Sequence, residues 1–148
     1  MTPRVDHVLK SLVAELEEMA PSIQPAYCSA QLIFMSRLLL GAAESWDGAA
    51  SSLVEENQTL RAIFRDALPL IDDAGLAGRM DAAIDSRDDD LRISALQACN
   101  ERMRDVLTEL HAAVELIDSD SGRSANEAIW RELRASVIRR RRSSDMFP

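Results

Sequence analysis

Hydrophobic residues recur along this chain at intervals of three and four, the spacing that places side chains on one face of an α-helix. The pattern covers residues 3–19, 26–68, 89–117 and 124–141, and a shorter version covers about 76–84. Prolines, glycines and polar runs separate these stretches. We therefore predict an all-α fold: an antiparallel bundle of four main helices with a short extra helix near 76–84.

The longest apolar stripe follows Pro25. It passes Gly41 and Gly48 without losing its phase, whereas two helices joined by a loop usually lose it. We therefore predict one unusually long helix over 26–68, roughly 60 Å at 1.5 Å per residue, although each glycine costs about 1 kcal/mol. The alternative is a break at Gly48. The stripe consists of Cys28, Leu32, Met35, Leu39, Ala42, Trp46, Ala49, Leu53, Leu60 and Phe64.

A helix of this length extends beyond its neighbours, since the 3–19 helix spans only roughly 25 Å. The uncovered part of the stripe needs a partner, and a second copy of the chain is the simplest one. We therefore predict a homodimer whose interface contains Leu53, Leu60 and Phe64. A single helical domain is expected over 1–138, followed by a basic, disordered tail over 139–148.

Local signals predict where several helices begin. Thr2 is expected to cap the first helix, with Pro3 at its first position. Residues 88–90, Asp-Asp-Asp, suit the first turn of the 89–117 helix, where carboxylates face the positive end of the helix dipole. Residues 124–127, Ser-Ala-Asn-Glu, match a capping box that opens the last helix.

Composition narrows the class of protein and its compartment. The chain has 148 residues, with five Gly, five Pro and six aromatic residues, which favours one helical domain over a β-sandwich or a disordered chain. The beginning of the sequence lacks the apolar core of a signal peptide, and the most apolar stretch, 32–40, is too short to span a bilayer. We expect the two cysteines, Cys28 and Cys99, to be buried and reduced. With Lys10 as the only lysine, we expect a cytoplasmic protein from a GC-rich bacterium.

The net charge of −8 is unevenly distributed along the chain. Residues 1–122 carry ten basic and 22 acidic side chains, whereas residues 123–148 carry seven and three. An acidic body repels nucleic-acid phosphates and anionic lipids, so we expect neither nucleic acid nor a membrane as a partner. The four arginines at 139–142 lack interleaved aromatic residues. They are a candidate for pairing with the acidic body of a partner copy.

Two histidines, His7 and His111, are the first candidates for chemistry. The segment His7-Val8-Leu9-Lys10-Ser11 resembles the His-x-Leu-Lys-Gly core of histidine phosphotransfer domains, which are also helical bundles. The resemblance covers five residues and implies that His7 carries a phosphoryl group while Lys10 steadies its charge. Ser11 departs from the pattern, because the family has a glycine there that leaves room for the phosphate.

A small-ligand cavity is the other candidate site. Trp46 is flanked by Gly and Ala residues, which either admit a closely packed helix or leave space for a ligand, and His111 lies at the edge of an apolar helix face. His111 also lacks the partner residues of a di-iron site. We predict no metal and no cofactor, since the chain has no phosphate-binding glycine loop, nucleophile elbow or calcium-loop spacing.

These observations favour a non-catalytic helical interaction or assembly protein over an enzyme. It is expected to form a homodimer and to have an unidentified protein as a further partner. The phosphotransfer module that uses His7 and the ligand-binding bundle with a cavity near Trp46 are the alternatives. Biological process, partner and ligand are beyond what these patterns indicate.

Overall fold

The computed structural model describes residues 4–46 and 48–141, and the side chains of all of these except 140 and 141. Every regular element in the described residues is helical, which confirms the predicted all-α fold. Two short 3-10 turns, Ala20–Ser22 and Leu68–Leu70, accompany the α-helices. The helices are α1 (Val5–Met19), α2 (Ala26–Trp46), α3 (Ala49–Ala67), α4 (Ala74–Asp85), α5 (Ile93–Val114) and α6 (Asp120–Arg141).

The predicted long helix over 26–68 is wrong. The structure has two helices there, because α2 ends at Trp46 and α3 begins at Ala49, with Gly48 in a turn between them. The division into two units follows the same boundary: the first contains α1 and α2, and the second spans Ala50–Arg139. The uninterrupted stripe was misleading because α3 buries its apolar face in the core of the second unit, whereas much of the apolar face of α2 stays exposed in the first. Packing therefore decides the break, not the phase of the stripe.

The first unit is a helical hairpin. A 3-10 turn containing Pro21 follows α1, and a cis Gln24–Pro25 peptide bond precedes α2. The two helices pack against each other. Among the described residues of this unit, the buried positions are Val13, Ala20, Ser36, Gly41 and Ala43, four of which have small side chains or none.

The second unit has a conventional apolar core to which α3, α4, α5 and α6 all contribute. Phe64, Met80, Leu110 and Ile129, one from each helix, are completely inaccessible to solvent. On α4, small residues separate the large core residues Leu76 and Met80. The rest of the core consists of Leu60, Ile63, Ala67, Leu76, Ala83, Cys99, Met103, Val106, Leu107 and Val114.

Two helices of the second unit begin elsewhere than expected. The helix predicted from Asp89 begins at Ile93, because residues 88–90 form part of the preceding loop. Asp90 accepts hydrogen bonds from the backbone and side chain of Arg92, which lower its pKa to about 2. Asp73, by contrast, caps α4 by accepting a 2.7 Å bond from the amide of Leu76.

The last helix begins four residues before the predicted capping box. Ser119 caps α6, since its Oγ accepts a 3.0 Å bond from the Gly122 amide. A Cβ atom on Gly122 would lie 2.4 Å from the carbonyl oxygen of Ile117, so only glycine allows the chain to turn this tightly. The helix continues to Arg141. Thr2, Pro3 and the 142–148 part of the predicted tail lie outside the described residues.

Candidate functional site

The most closely connected polar group in the second unit surrounds Arg61 of α3. Its guanidinium donates to both carboxylate oxygens of Asp88, at 2.7 and 2.9 Å, and its Nε donates to Ser86 Oγ at 3.2 Å. Both charged side chains are only about a tenth exposed, at 11% and 10%. The hydrogen bonds from Arg61 lower the pKa of Asp88. The pair therefore fastens the loop between α4 and α5 to α3.

Two asparagines extend this network toward α5. Asn57 Nδ2 donates to Asp88 Oδ1 at 2.9 Å and to the Leu96 carbonyl at 3.4 Å, while its own Oδ1 accepts from Asn100 Nδ2 at 3.0 Å. Asn57 is fully buried and Asn100 nearly so. Because buried amides are costly when unpaired, these bonds favour one arrangement of α3, α5 and the loop.

A second charged cluster joins α3, α5 and α6. Arg104 donates to Glu56 at 2.6 Å, and Arg139 pairs with Glu132 and, at 3.6 Å, with Glu56. Burial raises the pKa of Glu132, and the neighbouring Arg139 guanidinium opposes that rise. The cluster corrects one expectation: Arg139, the first of the four arginines at 139–142, pairs with carboxylates of its own chain.

Sequence reasoning missed both clusters, although a signal for them exists. Asn57 lies three and seven residues before Leu60 and Phe64, in the middle of the apolar stripe of α3, and Arg61 lies at the stripe's edge. Polar residues at such positions need buried partners. Those partners, Asp88 and Asn100, are more than 25 residues away in the chain. No local pattern identifies them.

The predicted phosphotransfer residues lie on the outside of α1. The His7 side chain is 69% exposed, and its Nε2 is 3.7 Å from Asp6 Oδ2. Lys10 is exposed one turn further along the same helix. Asp6 is also paired with Arg4, at 3.1 Å. The structure therefore places an accessible imidazole beside a carboxylate that already has a cationic partner.

The two residues predicted to line a ligand cavity belong to different units. Trp46 is the last residue of α2 and is about half exposed. His111 lies on α5, where its Nε2 is 3.1 Å from Asn126 Oδ1 and its ring meets Trp130 edge-on, with centroids 5.2 Å apart. A cavity of only about 120 Å³ adjoins His111. His111 thus has a structural partner in α6.

Of the predicted interface residues, two are unavailable. Leu60 and Phe64 are 1% and 0% exposed because they form the core of the second unit, and Leu53 is partly buried. The expectation that Leu60 and Phe64 meet a partner copy is therefore wrong, whereas the expectation for Leu53 stays a prediction. The reason is the break before Ala49, which places α3 among α4, α5 and α6 instead of leaving it projecting from a bundle.

The first unit carries a concentration of exposed apolar side chains. Eight large side chains of α1 and of the part of α2 up to Leu38 are each 40–52% exposed, and we call them the hairpin surface. Trp46, at the end of α2, is 48% exposed. Among the described residues, α2 is also the one helix with the length and apolar content of a membrane-spanning segment. The apolar region is thus longer than the 32–40 stretch suggested. The hairpin surface consists of Val5, Val8, Leu12, Met19, Ile33, Phe34, Met35 and Leu38.

Neither metal chemistry nor similarity to other proteins assigns a function. In the part of the chain that the structure describes, no group of three or more His, Cys, Asp or Glu side chains is placed to hold a metal ion. No protein-family model, curated protein or solved structure matches the chain. The case for a function therefore depends on the chain's own surfaces and cavities.

Proposed function

We propose that this protein is a non-catalytic helical interaction protein that self-associates through its α1–α2 hairpin. The observation that carries the proposal is the hairpin surface, in which Leu12 is 47% and Phe34 52% exposed. Single exposed apolar residues are ordinary, but a concentration of eight on two short helices is typical of an interaction site.

The hairpin surface is the part of the first unit that a partner copy would cover. Its eight side chains are each 40–52% exposed, and each partner in an interface of standard size buries ~800 Å². Two such hairpins facing each other would form a four-helix arrangement, in which each copy covers the other's surface.

Charge favours a second copy over a lipid bilayer as the occupant. Arg37 lies near the middle of α2 and is exposed, and a central arginine costs about 2.5–3.5 kcal/mol in a membrane-spanning helix. Within residues 4–46, five acidic and three basic side chains give the hairpin a net negative charge, which disfavours anionic lipid. In a dimer the long Arg37 side chain, one turn from Ile33 and Phe34, extends past the apolar contacts to water, which the core of a bilayer does not offer.

The substitution Leu12→Glu tests this proposal. A carboxylate buried in an apolar interface should cost at least about 3 kcal/mol, or ~100-fold in the dimer Kd. Ser11→Glu is the matched control, because it adds the same charge one residue away at an exposed polar position. Light scattering on the eluting full-length protein should show that Leu12→Glu is a monomer and Ser11→Glu a dimer.

Three results would contradict the proposal. The first is a wild-type chain that elutes as a monomer. The second is that both variants keep the wild-type mass, and the third is a wild-type protein that sediments with phosphatidylcholine vesicles in place of forming a dimer. Circular dichroism of Leu12→Glu establishes that the variant is folded, since Leu12 is half exposed in the chain itself.

A phosphotransfer role for His7 is the second candidate function. The observation in its favour is that the imidazole and the Lys10 ammonium are both exposed on α1. Acetyl phosphate should then label the wild-type protein but not His7→Gln, with His111→Gln as the control that retains the label. Equal labelling of wild type and His7→Gln would dismiss this role.

A further inference from the structure

The second unit contains a cavity between α4 and α5 that the proposed self-association does not use. Its volume is about 350 Å³. The apolar part of its wall includes Ala82 and Ala83 of α4 and Met103 and Val106 of α5. Because α4 presents two alanines at this point, the gap between the helices remains unfilled. Larger side chains on α4 would close it.

One end of the cavity is polar, and the polar groups there already have hydrogen-bond partners within the protein. Cys99 and Ser86 form part of the wall there. Ser86 Oγ donates to the Ala83 carbonyl at 2.6 Å and accepts from Arg61, and Arg61 Nη2 lies 3.7 Å from Cys99 Sγ. The guanidinium is already committed to Asp88. This end of the cavity therefore offers a thiol, with no free charge from Arg61.

The rim of the cavity carries charges that balance. Arg79 of α4 and Glu109 of α5 form an ion pair across the opening, and both side chains are about half exposed. Arg102 and Asp105 also lie on the rim. Two cationic and two anionic groups leave no net charge to select an ionic ligand. The selectivity of the cavity therefore comes from its apolar wall.

We propose that this cavity binds a small, uncharged, mainly apolar molecule, such as a one- or two-ring aromatic compound. An apolar protein cavity of about 150 Å³ is sufficient for benzene, and pockets for small ligands begin at ~300 Å³. The observed volume accommodates a two-ring compound. A charged ligand of the same size would lose hydration without gaining an unpaired counter-ion inside.

Alkylation of the two cysteines tests the proposal on the full-length protein. The probe is 2-naphthol, which is uncharged at neutral pH, and iodoacetamide reports on Cys99 in the cavity wall. Cys28, in the first unit, is the internal reference. At about nine times its Kd, 2-naphthol should leave one tenth of the cavities empty and slow Cys99 alkylation about tenfold. Peptide mass spectrometry should show an unchanged rate at Cys28.

A cavity-filling variant tests whether the protection of Cys99 arises from binding of 2-naphthol in the cavity. Ala82→Leu extends a side chain into the space and should abolish the protection of Cys99, whereas Ala112→Leu, at an exposed alanine on α5 outside the cavity, should keep it. The proposal is overturned if 2-naphthol leaves the Cys99 rate unchanged in the wild type. It is also overturned if both cysteines are protected equally, or if folded Ala82→Leu is protected like the wild type.

Discussion

Replacing Asp88 tests whether the buried network around Arg61 stabilises the second unit. Asp88→Ala removes both oxygens that accept from Arg61, at 2.7 and 2.9 Å, and the acceptor for Asn57, at 2.9 Å. The Arg61 side chain, only 11% exposed, would then be left as a buried charge without its carboxylate. The perturbation is therefore larger than the loss of three ordinary hydrogen bonds.

The magnitude follows from the burial of the pair. Removing one partner of a buried ion pair costs about 3–5 kcal/mol. The second unit, Ala50–Arg139, has about 90 residues, for which a total stability of roughly 5–13 kcal/mol is typical. A loss of about 3 kcal/mol should lower the midpoint of thermal unfolding by at least ~10 °C. Asp88→Ala should therefore remain mostly folded at room temperature after a loss of about 3 kcal/mol, and should unfold only if the largest loss, about 5 kcal/mol, meets the lowest starting stability.

Urea unfolding followed by circular dichroism measures this loss. Asp89→Ala is the matched control, because Asp89 is the exposed neighbour in the same loop and should change stability by no more than about 0.5 kcal/mol. Equal stabilities of Asp88→Ala and Asp89→Ala would refute the reasoning. Asp88→Asn should fall between them, since one amide oxygen still accepts from Arg61.

The same pair predicts a pH dependence with a definite sign. Hydrogen bonds from Arg61 lower the pKa of Asp88 below its ordinary 3.8. A lowered native pKa contributes stability that is complete above the unfolded value and is lost as the pH falls through the native one. The stability difference between wild type and Asp88→Ala should thus be constant near neutral pH and shrink below about pH 4. A difference that grows on acidification would contradict this assignment.

The remaining predictions concern Glu132 and two glycines. Burial raises the pKa of Glu132 above its ordinary value of 4.5. The stability of the wild type relative to Glu132→Gln should therefore decrease as the pH rises from 4.5. Urea titrations in which this stability difference increases with pH would contradict the prediction. Gly122→Ala should cost more than about 1 kcal/mol, because the new Cβ meets the Ile117 carbonyl at 2.4 Å. Gly78→Ala, with no atom within 4 Å of the new Cβ, should stabilise by about 0.5–1 kcal/mol. Similar urea midpoints for the two glycine variants would refute this contrast.

Periodicity was a sufficient guide to the helical class and to most of the helices. The stripes of α4, α5 and α6 are regular because each of these helices contributes one face to the core of the second unit. The predicted positions of these helices and of α1 agree with the structure to within a few residues. The ends were less predictable. Asp88 and Asp90 suit a helix N-terminus, yet they lie in the loop before α5. There Asp88 binds Arg61 of α3 and Asp90 binds Arg92. Competing partners of this kind are set by the tertiary structure.

The sequence predicted the candidate surfaces less well than it predicted the helices. The continuous phase across Gly48 gave no sign of the break, so Leu60 and Phe64 were expected at an interface when they belong to a core. The hairpin surface was not identified either, because a helix that is apolar on several sides, as α2 is, resembles a deeply buried one. The cavity beside Ala82 depends on how α4 and α5 pack, so the sequence pattern of either helix alone does not indicate it.

Sedimentation equilibrium of the full-length wild-type chain over micromolar concentrations tests the central claim most directly. Self-association through the hairpin surface predicts a mass of about 33 kDa, twice the 16.4 kDa of the single chain. The Leu12→Glu variant should give the single-chain mass under the same conditions. A wild-type mass of 16.4 kDa throughout the concentration range would contradict the account.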